Sequence, residues 1–135
     1  MLLNNKFMYY TLMQAKIGFK KKNLPVGAII VSKEKILSSQ YNIKIKSKIY
    51  EHAEVRIINT IKKNIKNLSS LKIYTTLEPC SNCLNIIQYS RLKYLQFIIF
   101  NKYLFISKIL NRYKNCLSKK KIEMFKSYFL RERKI

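Results

Sequence analysis

The sequence has few of the residues that cross-link a chain, break its helices or neutralise its charge. Its 135 residues include two Gly, two Pro, three Cys and one His, there is no Trp, and all six acidic residues are Glu. Three cysteines are too few for a disulfide framework, and a single histidine argues against a second histidine-dependent site. Because neither an internal repeat nor a Gly/Ser-rich linker interrupts the chain, the sequence predicts one domain over residues 1–135.

Long hydrophobic runs are also absent from the sequence. No uninterrupted apolar stretch approaches the roughly 20 residues that span a bilayer. Residues 1–6 lack the charged start and the small-residue cleavage site of a signal peptide. Hydrophobic residues nevertheless make up 48% of the chain, which excludes a disordered tail. We therefore expect a soluble cytoplasmic protein with no membrane partner.

Negative charge is scarce in this chain. The 28 Lys and Arg residues outnumber the six acidic ones and give a formal net charge of +22. Frequent Lys, Asn, Ile and Tyr indicate an AT-rich genome, which explains many of the lysines but explains the missing Asp less easily. Such a surplus attracts polyanions and steers them at long range, so the charge favours a nucleic-acid partner.

Hydrophobic periodicity predicts an α-β-β-α-β-α-β-α order of elements. Helical spacing covers residues 5–20, 52–63 and 80–89 and resumes from residue 104. Apolar, β-branched runs predict strands over residues 26–31, 36–41, 71–76 and 94–100, of which the last is very apolar and expected to be central. Residues 42–50 are polar and basic, which predicts a loop. With helices for both faces of one sheet, the order predicts an α/β fold, a three-layer α/β/α sandwich with a central mixed sheet.

A Cys-x-x-Cys pair stands at the start of the third predicted helix. At positions i and i+3, Cys80 and Cys83 point the same way, so both sulfurs can reach one ion. The free N–H groups and positive dipole of a helix start favour thiolate over thiol. Alone, however, this pair fits a redox site or half of a structural zinc site equally well.

His52 and Glu54 stand at the start of the second predicted helix. His52 would be a third ligand, and three protein ligands leave a tetrahedral zinc one position for water, as in catalytic sites. Zinc lowers the pKa of that water toward ~7, and Glu54 beside it could act as general acid and base. Alone, such a histidine is more often a cap or core residue. Together with Pro79 before the first cysteine, the set matches the signature of zinc-dependent base deaminases.

Cys116 is the third cysteine. Its neighbours, Asn115 and Leu117, offer no ligand partner, so we expect a free thiol in or near the core.

Three motifs give the chain a family resemblance: Pro-Val-Gly-Ala at 25–28, His-Ala-Glu at 52–54, and Thr-Leu-Glu-Pro-Cys-x-x-Cys at 76–83. They resemble the bacterial tRNA-specific adenosine deaminases of the cytidine-deaminase-like superfamily, which convert the wobble adenosine of a tRNA anticodon to inosine. The resemblance runs from about residue 7 to 100 and resumes at 128–133. It implies a cytidine-deaminase-like fold, one Zn²⁺ per subunit, a homodimer, and the anticodon arm of tRNA as partner.

The same resemblance assigns further roles. Asn42 would hydrogen-bond the flipped base, although as a loop residue it could simply favour a turn. The last helix would contact the RNA backbone, although an ordinary solvated basic face is an equal alternative. The residues implied to line the base pocket are Val26, Gly27, Ala28 and Pro79, and those implied to contact RNA are Lys126, Arg131 and Arg133.

The sequence leaves three functions open. Residues 76–79 and the basic charge favour tRNA wobble-adenosine deamination. A second function is deamination of a free nucleoside, nucleotide or base, such as cytidine or guanine. A third is a non-catalytic, zinc-stabilised RNA-binding module, against which Glu54 argues because a structural zinc site does not need it. Two departures from the family bear on the substrate: residues 48–51 lack its usual proline, and the region after Phe100 is shorter.

Overall fold

The computed structural model describes residues 5–46 and 49–99, which form three helices and six strands. The helices are α1 (Asn5–Lys20), α2 (Ala53–Lys62) and α3 (Ser81–Tyr89). The strands are β1 (Gly27–Ser32), β2 (Lys35–Tyr41), β3 (Ile43–Lys46), β4 (Ile49–Glu51), β5 (Lys72–Leu77) and β6 (Tyr94–Ile99). Within these ranges, no helix is long and apolar enough to cross a membrane.

Four of the strands form one mixed sheet in the order β2-β1-β5-β6. Strand β1 pairs antiparallel with both β2 and β5, whereas β5 and β6 are parallel. The residues of β1 from Gly27 to Val31 are all buried. Because successive strand residues point to opposite faces, both faces of β1 must be covered.

Helix α1 covers one face of the sheet. A Cβ atom built on Gly27 would lie 2.4 Å from the carbonyl oxygen of Thr11 and 2.7 Å from the backbone nitrogen of Ala15. Glycine is therefore what allows the helix backbone to lie this close to the strand. On the same face, the ring of Phe7 packs 5.4 Å from that of Tyr74 in β5.

Helices α2 and α3 provide the other helical layer. Helix α2 packs against β1, β2 and α3, and it buries its apolar stripe of Ala53, Ile57, Ile58 and Ile61. This spacing of one residue every three or four is that of an amphipathic helix. The predicted α/β sandwich with a mixed sheet is thus confirmed.

One local prediction was wrong. Residues 42–50, predicted as a loop, contain strand β3 and most of β4, which pair as an antiparallel hairpin. The alternation Ile43-Lys44-Ile45-Lys46 has the period of a strand, but its basic composition resembles that of a loop. The central position predicted for strand β6 stays a prediction, because β6 is the last described strand and the residues that follow it lie outside the described ranges.

Other expectations lie outside the described residues. They are the helix predicted from residue 104 onward, the free thiol of Cys116, and the RNA contacts of Lys126, Arg131 and Arg133.

Candidate metal centre and active site

Two helix starts meet at one point and bring three metal-ligating side chains together. His52 and Cys80 are extended residues immediately before α2 and α3, and Cys83 lies in the first turn of α3. The Nδ1 atom of His52 lies 3.1 Å from the Sγ atom of Cys83 and 3.7 Å from that of Cys80. The three ligand atoms all lie within 4.8 Å of one another, so this group could hold a metal ion.

The donor set fits a tetrahedral ion such as zinc. With metal–nitrogen bonds of about 2.0 Å and metal–sulfur bonds of about 2.3 Å, ligand nitrogen and sulfur atoms would lie roughly 3.5 Å apart. The two nitrogen–sulfur distances, 3.1 and 3.7 Å, bracket this value. The side chains of His52 and Cys80 make no capping hydrogen bond to their helices. Their positions are therefore explained better by a shared ion than by helix capping.

Burial raises the pKa of the Cys83 thiol, and the neighbouring Glu54 and Cys80 raise it further. This direction is opposite to the one expected from the helix dipole. A helix dipole lowers the pKa of a thiol that remains partly exposed. The Cys83 side chain is buried, and the loss of hydration raises the pKa of its thiol instead. A divalent cation deprotonates a coordinating thiol outright, so metal binding would be coupled to proton release from this side chain.

Glu54 lies in the first turn of α2, two residues after His52. It is 3% exposed, and its Oε2 atom has no hydrogen-bond partner among the described residues. Burial raises the pKa of its carboxyl group, while its own backbone N–H, His52 and Cys83 lower it to a smaller extent. A buried carboxylate oxygen without a partner is costly to fold, and a raised pKa is typical of groups that exchange protons near neutral pH.

Asn42 links the start of β1 to the start of α2. Its backbone N–H donates to the carbonyl oxygen of Val26 at 3.0 Å. Its side-chain Oδ1 accepts the backbone N–H of Ala53 at 2.7 Å, between His52 and Glu54. Because this bond engages the carbonyl oxygen, the amide N–H₂ is the part of the side chain that remains for a ligand.

The four residues that the resemblance assigns to the base pocket lie around the start of β1 and directly before Cys80. Val26 and Ala28 are buried at the start of β1, and Pro79 is buried directly before the first cysteine. The backbone N–H of Gly27 donates to the Thr76 hydroxyl at 2.9 Å. The missing side chain of Gly27 faces α1 and not a ligand pocket, since a Cβ there would meet Thr11.

Sequence reasoning missed one side chain that supports the site. Arg56 lies one turn after His52, its backbone N–H donates to the carbonyl oxygen of His52, and its guanidinium donates to that of Tyr41. The guanidinium also lies 5.4 Å from the centroid of the Tyr41 ring. The four-residue spacing from His52 was visible in the sequence, but the contact with Tyr41 depends on the tertiary fold.

A mixed sheet between helices, with a histidine and two cysteines at two helix starts, is the architecture of the cytidine-deaminase-like proteins. A solved structure from a study of A-to-I editing by tRNA:A34 deaminases superposes with a TM-score of 0.63 at 23% identity, covering 71% of this chain and 76% of the other. A guanine deaminase from Bacillus subtilis superposes with a TM-score of 0.68 at 25% identity, covering 80% and 71%.

The chain belongs to the MafB19-like deaminase family, whose family model matches residues 4–133. A curated relative, the tRNA-specific adenosine deaminase of Rickettsia bellii, is 47% identical over 93 residues. That match covers 65% of this chain and 64% of the relative, so this chain spans less than two thirds of the relative's length. The predicted resemblance is thereby confirmed at the level of the family.

Proposed function

We propose that this protein catalyses zinc-dependent hydrolytic deamination of the wobble adenosine in a tRNA anticodon, which yields inosine and ammonia. The observation that carries the proposal is the buried carboxylate of Glu54, which has no described partner for Oε2 and which interacts with His52 and Cys83 of the ligand group. The relative from Rickettsia bellii, named as a tRNA-specific adenosine deaminase, supports the choice of substrate.

His52, Cys80 and Cys83 would hold the ion, and Glu54 would move the proton. Zinc at this group would supply Lewis acidity, which lowers the pKa of the attacking water toward ~7. The carboxylate of Glu54 takes a proton from the water and returns it to the departing amino group, which leaves as ammonia. The raised pKa of Glu54 suits both directions of this transfer, because the group can be charged before it and neutral after it.

Asn42 would position the flipped base within the pocket. Since its Oδ1 is engaged by Ala53, its amide N–H₂ donates to an acceptor atom on the base. Val26, Ala28 and Pro79 form the buried surroundings against which a base could pack. The base must leave its stack to reach these groups, which an unpaired anticodon loop permits at low cost.

The deciding experiment offers the zinc-loaded protein three substrates. We expect an arginine tRNA with a wobble adenosine to gain inosine, detected by nucleoside mass spectrometry, and free cytidine and guanine to remain unchanged. Turnover of free guanine or cytidine without inosine in the tRNA would replace the proposal with a small-molecule deaminase. The guanine deaminase among the structural neighbours makes that the second candidate.

The remaining expectations concern the whole protein. We propose that residues 1–135 form a single zinc-binding domain, that it acts in the cytoplasm, and that two copies form a homodimer whose last helices, with Lys126, Arg131 and Arg133, contact the anticodon arm. The family resemblance supports the dimer, and the net charge of +22 supports the RNA partner. Light scattering coupled to size-exclusion chromatography would measure the number of subunits.

A further inference from the structure

The ends of α2 and α3 that lie away from the ligand group border a groove of about 810 Å³. Four exposed cations from three stretches of the chain line it: Lys62 at the end of α2, Lys66 in the loop that follows, and Arg91 and Lys93 between α3 and β6. Among the described residues that line this groove, none is acidic. Like charges gathered in this way repel one another, and a bound polyanion would relieve the repulsion.

Helix dipoles explain only part of this arrangement. A cation at the C-terminal end of a helix is favourable, which accounts for Lys62 at the end of α2 and for Arg91 just after α3. Lys66 and Lys93 lie beyond the helix ends and face the same groove. Their convergence indicates a surface that binds negative charge.

An aromatic side chain stands among these cations. Tyr89 lines the groove and is 89% exposed, an unusually high value for so large a ring. Buried Leu68 and Leu92 also belong to the lining. A cationic groove with an exposed aromatic ring is the arrangement by which proteins hold single-stranded nucleic acid, since the cations contact phosphates and a base stacks on the ring.

The backbone at this rim is well fixed. The N–H of Arg91 donates to the carbonyl oxygen of Gln88 at 3.0 Å, and the Ser90 hydroxyl donates to that of Ile86 at 2.7 Å. Arg91 also has a positive φ of 65°, a conformation that glycine usually occupies after a helix. The cation is thus presented from an ordered turn, which lowers the entropy lost when a ligand binds.

We propose that this basic groove is a second RNA-binding surface, at which an unpaired strand lays its phosphates along the four cations and stacks one base on Tyr89. The inference rests on the proposed function for the nature of its partner. Helices α2 and α3 contain 10 and 9 residues, so the groove lies about 13–15 Å along the helices from the ligand group. The two sites therefore contact different nucleotides of one RNA.

Charge removal tests the phosphate contacts. The variant Lys66→Gln/Lys93→Gln is compared with Lys20→Gln/Lys35→Gln, which removes two exposed lysines elsewhere. Binding of a 20-nucleotide oligouridylate and of unfractionated tRNA is followed by fluorescence anisotropy over a range of salt concentrations. We expect the groove variant to bind about ten-fold more weakly and its log–log salt slope to fall by about 1.4 units, or 0.7 for each lost phosphate contact. An equal loss in the control pair, or no loss in either, would overturn the proposal.

Aromatic substitutions test the stacking contact. We expect Tyr89→Ala to weaken binding of the oligouridylate at least about five-fold and Tyr89→Phe to preserve it, because stacking does not need the hydroxyl. Circular dichroism melting of both variants verifies that the fold is retained. Polyglutamate is added as a competitor at the same total charge as RNA. If it displaces the oligouridylate as well as RNA does, and if Tyr89→Ala binds the oligouridylate as tightly as the wild type, the groove would be assigned to acidic proteins and the RNA assignment refuted.

Inosine formation on tRNA in the same variants separates this proposal from the proposed function. We expect the groove variants to raise KM for the tRNA and leave kcat unchanged, since the groove is remote from Glu54. Groove-dependent RNA binding by a protein that forms no inosine would refute only the deaminase proposal. Inosine formation with binding that does not depend on the groove would refute only the second RNA surface.

Discussion

Glu54 and Asn42 are buried polar side chains whose contacts differ, and the difference separates their roles. Asn42 is 4% exposed and satisfies the backbone N–H of Ala53. Glu54 is 3% exposed, yet its Oε2 atom has no partner among the described residues. The hydrogen bond to Asn42 stabilises the start of α2. The unpartnered oxygen of Glu54 instead costs free energy of folding and suits proton transfer.

The variant Glu54→Gln tests the proton transfer. Glutamine has the same shape but cannot accept a proton from water, so we expect the rate of deamination to fall at least about 10²-fold. Zinc content, measured by metal analysis, should equal that of the wild type, because His52, Cys80 and Cys83 are unchanged. We expect the melting temperature to stay the same or rise, since the variant no longer buries a carboxylate. Substantial remaining activity would remove Glu54 from the mechanism.

The variants Asn42→Ala and Asn42→Asp separate two roles of this side chain. One is the capping of α2, through the bond from the Ala53 N–H to Oδ1, and the other is the proposed contact with the base. Alanine leaves the backbone N–H of Ala53 without its acceptor, so we expect the free energy of unfolding to fall by about 1–2 kcal/mol. Aspartate keeps an acceptor and adds a favourable negative charge at the helix start, so its stability should remain closer to wild type. Both variants lose the amide donor and should raise KM. Urea denaturation measures the first effect, and equal destabilisation of the two variants would contradict the capping role.

At the level of the elements, the position of the ligand group depends on two features. Helix α1 approaches β1 closely, and the starts of α2 and α3 lie next to each other. Gly27 lets α1 pack tightly on the first strand, and this strand leads through β2 to Asn42. The hairpin of β3 and β4 then returns the chain to His52. A change in the packing of α1 or in the pairing of these strands would therefore move His52 away from the two cysteines.

Gly27→Ala tests the close packing of α1. Its Cβ would meet helix backbone atoms at 2.4 and 2.7 Å, which cannot shift independently of the helix. We expect a loss of about 1–3 kcal/mol in the free energy of unfolding. Gly18→Ala is the matched control, since the three atoms nearest to its Cβ would all belong to the Tyr41 side chain, at 3.0–3.1 Å, and alanine favours a helix. Denaturation curves that show equal losses for both would contradict the packing argument.

At the scale of the whole molecule, one ion would join segments that are far apart in sequence. His52 precedes α2, while Cys80 and Cys83 begin α3, and strand β5 lies between these helices in the chain. A ligand that binds only the folded state stabilises it by mass action. Metal at this group should therefore raise the stability of the entire described sandwich.

Removal of the metal tests this coupling. We expect a chelator to lower the melting temperature of the zinc-loaded protein by several degrees, because zinc binding contributes to the free energy of folding. Cys83→Ser should abolish both the zinc content and the effect of the chelator. Cys116→Ser, the matched cysteine control, should retain both. A chelator response that persists in Cys83→Ser would exclude the proposed ligand set.

Much of the fold was predictable because its signals are local. Helical periodicity defined α1 and α2 to within a residue or two, and apolar β-branched runs defined β1 and β5. The prediction failed where composition and periodicity disagreed, as in the basic hairpin of β3 and β4. Strand order within the sheet could not be predicted, because it depends on pairings between distant segments and not on a strand's own residues.

The sequence by itself determined the chemistry of the donor set. The spacing of Cys80 and Cys83 is a property of one helix turn, and His52 with Glu54 is a property of another. Only the tertiary structure decided that these turns meet, that Glu54 is buried with an unpartnered oxygen, and that Asn42 directs its carbonyl to Ala53. It also decided that cations from three segments converge on one groove. The physical reason is that periodicity is encoded by neighbouring residues, whereas convergence, burial and hydrogen-bond direction depend on how the sheet brings distant residues together.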